Sequence, residues 1–394
     1  MKVLNIITGL NVGGAENMLA KLIEQGGSDE PEVLSLLPPG PLAERITACG
    51  VKVHTLGMRR GLVGPGAMLR LPRMVEAIGP DLIHGWMYHG NLAASFARNR
   101  LRRRLPLVWN IRHSIPELAM ESRQTRFLLK LSARISRGPE AIVYNAHVSR
   151  KQHEAVGYSP TRGVVIPNGF DTGRFTPNPA ARDTAQALFG FAEGAFRVAC
   201  VARLHPMKDQ ARLVEAVAAA RERGCDIHLV LVGHGLEEPP AELKRLIGDK
   251  LPDDRIATCG ARFDVAEWLG GIDLLAVPSA WGEAFPNVIG EALACEVPVV
   301  ATDVGDSARI VGEQGLIVPP KDTRALTEAL LASAARPEEL RRAIGRAGRA
   351  RVVQDYSLAK IGAQYAEMHA TCRDRMRHGE PRGKLATSPR HSAR

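Results

Sequence analysis

Short apolar runs alternate with helical patterns along the whole chain, and the series starts again near its middle. Each run is continuously apolar, which is typical of strands that are buried on both faces of a parallel sheet. The first series predicts strands at Val3–Thr8, Val33–Leu37, Val51–Leu56, Leu82–His84, Leu107–Ile111, Ala141–Tyr144 and Val164–Ile166. The second predicts strands at Arg197–Ala202, Ile227–Val232, Ile256–Cys259, Leu274–Val277, Val299–Ala301 and Leu316–Val318. Two such series indicate two doubly wound α/β domains in tandem rather than one large sheet.

The boundary between the two domains is predicted near Phe170–Pro179, where Pro177 and Pro179 interrupt any helix. We therefore expect a first domain over residues 1–170 and a second domain over residues 171–354. A helix over residues 355–375 is expected to return to the first domain. The polar tail over residues 376–394 is basic and broken by Pro and Gly, which predicts disorder.

The formal net charge of +10 is unevenly distributed. Residues 1–170 hold 22 Lys and Arg against 12 Asp and Glu, whereas residues 171–372 carry a net −5 and residues 373–394 a net +5. A basic first domain favours phosphates, anionic membranes or nucleic acid as partners. Nucleic acid is the weakest of these alternatives, because the basic residues are not interleaved with aromatic side chains that would stack on bases. The chain has no apolar run of about 20 residues and no signal-peptide pattern at Met1, so we expect a cytoplasmic protein.

A glycine-rich turn, Gly9-Leu-Asn-Val-Gly13-Gly14-Ala-Glu16, joins the first predicted strand to a helix. Paired glycines let backbone N–H groups approach an anion at a helix N-terminus. The turn is not G-x-G-x-x-G, and no clear ribose-binding acid ends the second strand, so no nicotinamide cofactor is expected. The same turn is equally compatible with a tight connection that binds no ligand.

Two cations lie in the loop that begins the second series, Val201-Ala-Arg203-Leu-His-Pro-Met-Lys208-Asp209. Ligands of open α/β sheets bind at the carboxyl ends of the strands. Arg203 would offer a fork of donors to phosphate oxygens and Lys208 a point charge. The pattern favours a phosphate site over the alternative, a solvated loop with surface cations.

A pair of glutamates follows a later strand, in Glu283-Ala-Phe-Pro-Asn-Val-Ile-Gly-Glu291. Pro286 suits the start of a helix, which predicts a helix over Asn287–Cys295 with Glu283 in the loop before it. Carboxylates accept two hydrogen bonds from the paired hydroxyls of a sugar or ribose. The alternative for either glutamate is an acid placed near the helix N-terminus by the helix dipole. The sequence contains no Asp-x-Asp, so no metal site is predicted.

These motifs, taken in order, resemble glycosyltransferase family four of the GT-B fold. The resemblance is carried by Gly13-Gly14-Ala-Glu16, Ile166-Pro-Asn-Gly-Phe-Asp171, Ala202-Arg203 with Lys208-Asp209, Leu231-Val-Gly-His-Gly235, and the two glutamates. It implies two Rossmann-like domains that face each other across a cleft. It also implies transfer of a sugar with retention at the anomeric carbon, without a metal or other cofactor.

The resemblance also assigns roles to residues. Arg203 and Lys208 would grip the donor diphosphate, and Glu291 would hold the ribose hydroxyls. Glu283 would bind the transferred sugar with help from the backbone of Phe285, Pro286 and Asn287. In the first domain Gly13 and Gly14 would face the phosphate or the acceptor, and His113 would contact the sugar. One departure is Arg309, which stands where the family usually has an acid.

The expected reaction moves a sugar from a UDP- or GDP-type donor to a glycan or lipid-linked glycan acceptor, in the synthesis of cell-surface polysaccharide. A nucleotide-sugar epimerase and a phosphorylase are the alternatives on the same fold. Peripheral contact with the inner face of the cytoplasmic membrane is suggested by two groups of cations. One group lies just after a helix that is predicted to begin at Asn91: Arg98, Arg100, Arg102, Arg103 and Arg104. The other lies beside Leu128, Leu129 and Leu131: Arg123, Arg126, Lys130 and Arg134. Trp86 and Tyr88 follow a predicted strand, where they would contact the acceptor or the membrane or would belong to the core.

Overall fold

A computed structural model describes residues 1–59 and 64–378 of the chain. The chain divides into two units. The first unit contains residues 1–169 and the segment that begins at Leu358, and the second unit is Phe170–Ser357. The division lies between Gly169 and Phe170, one residue before the predicted boundary, and the second unit ends at Ser357 rather than at residue 354.

The first unit is built on a seven-stranded sheet with the order β3-β2-β1-β4-β5-β6-β7. All of its strand pairs are parallel. The strands are β1 (Lys2–Ile7), β2 (Glu30–Ser35), β3 (Val53–Thr55), β4 (Leu82–Trp86), β5 (Leu107–Ile111), β6 (Ala141–Tyr144) and β7 (Gly163–Val165). The helices between them are α1 (Gly14–Gln25), α2 (Leu42–Ala48), α3 (Pro65–Ile78), α4 (Met87–Arg98), α5 (Arg123–Ile135) and α6 (His147–Ala155).

The second unit is built on a six-stranded parallel sheet with the order β10-β9-β8-β11-β12-β13. Its strands are β8 (Phe196–Val201), β9 (Ile227–Val232), β10 (Ile256–Cys259), β11 (Leu274–Val277), β12 (Val299–Thr302) and β13 (Gly315–Val318). Its helices are α7 (Ala181–Phe189), α8 (Gln210–Glu222), α9 (Ala241–Lys250), α10 (Val265–Trp268), α11 (Asn287–Ala294), α12 (Ser307–Val311), α13 (Thr323–Ala334) and α14 (Glu338–Tyr356). The last helix, α15 (Leu358–Arg377), belongs to the first unit.

The continuous apolar runs are buried because each sheet carries helices on both faces. In β1, Val3 and Ile7 belong to the core on one face of the sheet, whereas Leu4 and Ile6 belong to the core on the other. Helix α15 adds an apolar stripe to the first of these cores, with Leu358, Ile361, Tyr365, Met368 and Cys372. Spacings of three and four residues place this stripe on one side of the helix.

The predicted fold class, two Rossmann-like parallel sheets with helices, is confirmed. The strand order reverses between β1 and β4 in the first sheet and between β8 and β11 in the second. A crevice opens at such a point beyond the carboxyl ends of the strands, and it is the usual ligand site of these sheets. The loops after β1 and β8 carry the predicted glycine turn and the predicted pair of cations, respectively.

Three local expectations were wrong or incomplete. Helix α4 begins at Met87, whose φ of 60° is left-handed, rather than at Asn91. Trp86 is part of the core, with its Nε1 donating to Asn5 Oδ1 at 2.9 Å, and Tyr88 is buried as well. Arg98 is also buried, with its Nη1 3.7 Å from Glu140 Oε1, so it does not belong to an exposed basic cluster.

Two further observations concern the chain's relation to a membrane and its end. Within residues 1–59 and 64–378, no helix is long and apolar enough to span a lipid bilayer. Residues 376 and 377 of the predicted tail belong to α15, and residues 379–394 lie outside the described part of the chain.

Candidate active site

Two loops meet where the strand order of the second sheet reverses. One follows β8 and ends at Asp209, and the other follows β11 and ends at Pro286. The backbone N–H of Ala280 donates to the carbonyl of Met207 at 2.8 Å, which ties the two loops together. The predicted phosphate-binding residues and the first predicted glutamate therefore lie at one edge of the sheet.

Lys208 and Glu283, one from each loop, form an ion pair through Lys208 Nζ and Glu283 Oε1. The Glu283 carboxylate is buried, and Ser279 Oγ donates to the same Oε1 at 2.7 Å. A carboxylate that is withdrawn from water needs such partners to remain ionised. Glu283 retains further acceptor capacity, because an ionised carboxylate has about four lone-pair sites.

Arg203 is exposed, although the backbone that carries it is fixed. The buried amide of Gln210 donates to the carbonyl of Arg203 at 2.9 Å. Gly233, at the end of β9, approaches so closely that a Cβ there would lie 2.1 Å from the carbonyl oxygen of Ala202. A rigid loop with a solvent-accessible guanidinium suits capture of an anion from solution.

Helix α11 follows the second loop directly and begins at Asn287, as predicted. Phe285 is buried, and its ring lies 5.9 Å from that of Phe170 and 5.8 Å from that of Tyr356. Asn287 and Glu291 are both partly exposed and lie one turn apart on the helix, hence on one face. Glu291 is close to Cys295, where its charge adds to the effect of burial in raising the pKa of the thiol to about 12.

A third loop supports Glu283 from behind, and sequence reasoning missed its role. Gly305 has a φ of +67°, and a Cβ there would lie 2.6 Å from the carbonyl oxygen of Glu283. The N–H of Asp306 donates to the carbonyl of Ala284 at 2.9 Å. The only available signal was the glycine itself in the loop after β12. Arg309 follows this loop on α12 and is partly exposed. Its carbonyl accepts a hydrogen bond from Arg351 Nη2 at 2.8 Å.

In the first unit, the predicted glycine turn precedes α1. A Cβ at Gly13 would lie 2.4 Å from the Glu16 carboxylate, whereas Gly14 has open space around it. The Glu16 carboxylate therefore explains why a residue without a Cβ occupies position 13. Burial raises the pKa of the Glu16 carboxyl group. The structure does not require a ligand to explain Gly13, and Gly14 is the position with room for one.

His113 lies in the loop after β5 and is partly exposed. Its Nδ1 is 3.0 Å from Tyr88 Oη, and its Nε2 is 3.5 Å from Glu121 Oε1. Burial lowers the pKa of His113, and the charge of Glu121 opposes that shift. Neither Tyr88 nor Glu121 was identified from the sequence as a partner of this histidine, because no periodicity in the sequence links either residue to His113.

The described residues contain no group of three or more His, Cys, Asp and Glu side chains that could hold a metal ion. The candidate site of the second unit thus consists of Arg203, Lys208, Glu283, the Phe285–Asn287 segment and Glu291. Gly13, Gly14 and His113 lie in the first unit.

Family models match both units of the chain. A model described as Glycosyltransferase Family 4 matches residues 12–174, and one described as Glycosyl transferases group 1 matches residues 195–335. Both matches include residues of the candidate sites.

Two curated proteins are similar in sequence over most of the chain. A D-inositol 3-phosphate glycosyltransferase of Kribbella flavida is 31% identical over 293 residues, which are 69% of this chain and 67% of that protein. The lipopolysaccharide core biosynthesis mannosyltransferase LpsB of Rhizobium meliloti is 27% identical over 301 residues, which are 71% of this chain and 79% of LpsB.

A solved structure, that of HepE from Anabaena in complex with UDP, has the same fold. It superposes with a TM-score of 0.82 at 23% identity, over 94% of this chain and 100% of that one. Sequence and fold thus agree with each other: the chain belongs to glycosyltransferase family 4 and is a glycosyltransferase of the GT-B fold.

Proposed function

We propose that the protein transfers a sugar from a UDP- or GDP-type nucleotide donor to a glycan or lipid-linked glycan, with retention at the anomeric carbon and without a metal ion. The observation that carries this proposal is the pairing of Lys208 with Glu283, beside the exposed Arg203, at the switch point of the second sheet. A cation and a carboxylate held side by side can bind a phosphate and the hydroxyls of the attached sugar at once.

Charge stabilisation is the main catalytic contribution in this proposal. The bond between the anomeric carbon and the phosphate oxygen breaks, and the departing diphosphate gathers negative charge. Lys208 and Arg203 stabilise that charge, and the N-terminal end of α11 adds its dipole. Ser279 and the Gly305 loop already hold Glu283 in place, so Glu283 needs little reorganisation when the donor binds. The acceptor oxygen bonds to the anomeric carbon on the face that the phosphate leaves, and the departing phosphate accepts the proton of the acceptor hydroxyl.

The two units have different tasks in this proposal. The second unit binds the donor, with Glu291 on the ribose hydroxyls and Glu283 on the transferred sugar, near the backbone of Phe285, Pro286 and Asn287. The first unit binds the acceptor, near Gly14 and His113. The name of LpsB, which refers to lipopolysaccharide core synthesis, supports a surface glycan or glycolipid as the product. The structure of HepE with UDP supports a nucleotide donor.

We also propose that the first unit touches the inner face of the cytoplasmic membrane. Helix α5 exposes the ring of Phe127, which is 66% accessible, among the exposed cations Arg123, Lys130 and Arg134. Met120, just before this helix, is 65% accessible. An apolar ring among cations fits the interface of an anionic bilayer, where a lipid-linked acceptor would be located.

The test is a panel of UDP- and GDP-sugars offered to the purified chain with a total lipid or polysaccharide extract, followed by mass spectrometry. We expect one donor to give a product that is heavier by one glycosyl residue. Release of free nucleotide without a glycosylated product, or phosphate-dependent cleavage of a glucan, would instead support an epimerase or a phosphorylase and overturn the proposal.

A further inference from the structure

His113 is the outer end of a chain of hydrogen-bonded side chains that runs into the interior of the first unit. Its Nδ1 is 3.0 Å from Tyr88 Oη, and the same hydroxyl is 2.8 Å from His153 Nε2. The chain ends at the backbone, where His153 Nδ1 is 2.7 Å from the carbonyl oxygen of Ser149. Helices α4 and α6 supply Tyr88 and His153, so the chain spans two elements as well as the loop after β5.

The direction of every hydrogen bond in this chain follows from its inner end. A carbonyl oxygen only accepts, so His153 Nδ1 carries a proton and donates it to Ser149. Burial lowers the pKa of His153 to about 4, so the ring is neutral at neutral pH and its Nε2 must accept. Tyr88 then donates its single proton to His153, and its oxygen is left to accept from His113 Nδ1.

The inner end of the chain is closed to water. His153 has no exposed surface, and the rings of Tyr144 and Tyr158 pack against it at centroid distances of 5.5 and 5.1 Å. A site with a low dielectric strengthens hydrogen bonds that are fully paired. The donor and acceptor order of these hydrogen bonds is therefore fixed by the fold rather than by exchange with solvent.

The loop that carries His113 is held by the same helix that carries His153. Ser149 Oγ donates to the carbonyl of His113 at 2.6 Å, and Gln152 Oε1 accepts from the backbone N–H of Ile115 at 2.8 Å. Backbone and ring of His113 are thus both set by α6, directly or through Tyr88. Such support holds a site residue within the small tolerance that catalysis requires.

We propose that Tyr88 and His153 are positioning residues which hold His113 as the Nδ1–H tautomer, so that its Nε2 can accept a hydrogen bond from a sugar or acceptor hydroxyl. This inference rests on the proposed transferase function and adds the residues that prepare His113 for it. The Nε2 atom lies 3.5 Å from Glu121 Oε1, and the His113 side chain is partly exposed. Two acceptors side by side suit a ligand rich in hydroxyl groups, which donates to both.

Three titratable groups face His113: Tyr88 from α4, Glu121 from the segment before α5, and His153 beyond Tyr88 from α6. Protonation of the ring would add a proton to Nε2, which would then donate to Glu121 and no longer accept from a substrate. Because burial lowers the pKa of His113, the accepting form is the one present at neutral pH.

The first experiment measures the tautomer directly by nitrogen NMR on the full chain labelled with ¹⁵N-histidine, with His113→Gln used to assign the resonance. At neutral pH we expect a pyrrole-type Nδ1 and a pyridine-type Nε2 for His113. The opposite assignment would overturn the proposal. This measurement needs no donor or acceptor, so it can succeed or fail independently of the proposed transferase function.

The second experiment uses variants whose ranking a purely structural role would not produce. Tyr88→Phe removes the acceptor for Nδ1, and kcat should fall by about tenfold to a hundredfold, with little change in donor KM. His153→Phe leaves the Tyr88 hydroxyl without its acceptor, so the hydroxyl turns to donate to His113 Nδ1 and forces the Nε2–H tautomer. His153→Phe, although it is farther from the ligand, should therefore lower kcat at least as much as Tyr88→Phe. It should also exchange the pyrrole-type and pyridine-type nitrogens of His113 in the spectrum.

The double variant Tyr88→Phe/His153→Phe completes the cycle. Without the Tyr88 hydroxyl nothing can donate to Nδ1, so the double variant should be no slower than Tyr88→Phe alone. Additive losses in kcat, or an unchanged nitrogen spectrum in His153→Phe, would overturn the inference. If either variant fails to fold, the wild-type spectrum alone still decides between the two tautomers.

Discussion

Lys208 and Glu283, which the sequence assigned to different parts of the donor, contact each other in the structure. Their ion pair, with the hydrogen bond from Ser279, joins the proposed phosphate site to the proposed sugar site. Arg203 differs, because its side chain is exposed while its backbone is fixed by Gln210. Each residue therefore calls for a different test.

Arg203→Ala is the cleaner test of the phosphate site, because removal of an exposed side chain leaves no buried partner unpaired. We expect a fall in kcat/KM that corresponds to a loss of about 2–4 kcal/mol of transition-state stabilisation, as for loss of one electrostatic contact to the leaving group. Steady-state kinetics measures this, with Lys244→Ala on the exposed side of α9 as the matched control. Near-normal kcat/KM for Arg203→Ala would remove Arg203 from the site.

Glu291→Gln and Glu283→Gln should separate the two glutamates by calorimetry with the bare nucleotide diphosphate. Loss of the Glu291 charge should weaken nucleotide binding by roughly 1.5–3 kcal/mol, as for hydrogen bonds to a charged group. Glu283→Gln should leave that affinity intact or raise it, because it releases Lys208 for the phosphate, while turnover falls. Equal losses of affinity in both variants would refute this division of roles.

Residue types were easier to predict from the sequence than residue contacts. Arg203, Lys208 and Glu283 follow apolar runs, and the carboxyl ends of strands β8 and β11 do meet at one edge. The contact between Lys208 and Glu283 joins residues 75 positions apart, and no periodicity reports it. The contacts that join His113, Tyr88 and His153 were missed for the same reason.

At the scale of the element, prediction was best where burial is continuous and worst where the backbone is unusual. Strands such as β9 and β11 match their predicted bounds, because an apolar run buried on both faces has few other structures available. Helix α4 begins earlier than predicted, because Met87 adopts a left-handed φ that no glycine signals. One member of the basic cluster near the end of α4 was also misjudged, since Arg98 is buried beside Glu140, whereas Arg100, Arg102, Arg103 and Arg104 are exposed.

Helix α5 is the element on which membrane attachment should be tested, because it exposes the apolar side chain of Phe127 among cations. The triple change Arg123→Glu, Lys130→Glu and Arg134→Glu should abolish flotation with anionic vesicles, because each cation near such a surface contributes about 1 kcal/mol. Binding of the unmodified chain should require anionic lipid and fall with added salt.

The matched control for α5 reverses three exposed cations of the second unit, Lys244, Arg324 and Arg346, and so changes the net charge equally. This control should still float with the vesicles. If it loses binding as fully as the α5 variant, only net charge matters. If the unmodified chain fails to bind at low salt or binds neutral vesicles equally well, the lipid surface drops out of the proposal.

At the scale of the whole molecule, each sheet places a loop with the predicted chemistry at its own switch point. In the second unit that loop carries Arg203 and Lys208, next to the N-terminal ends of α8 and α11. The two units are alike in topology but differ in charge, since residues 1–169 hold a net +10 and Phe170–Ser357 a net −5. The positive charge that a diphosphate needs is therefore local in the second unit, not a property of its overall field.

That local charge leads to the last prediction, which concerns the overall reaction. If Arg203, Lys208 and the helix ends stabilise the diphosphate, transfer should proceed at an unchanged rate in excess EDTA, since no divalent ion is needed for this charge. The product formed from an α-linked donor should also be α-linked, which proton NMR of the new anomeric centre measures. Mg²⁺ or Mn²⁺ titration into EDTA-treated enzyme serves as the control. A strict requirement for either ion would show that the two cations do not suffice, and a β-linked product would show inversion, so the two outcomes test the charge argument and the stereochemistry separately.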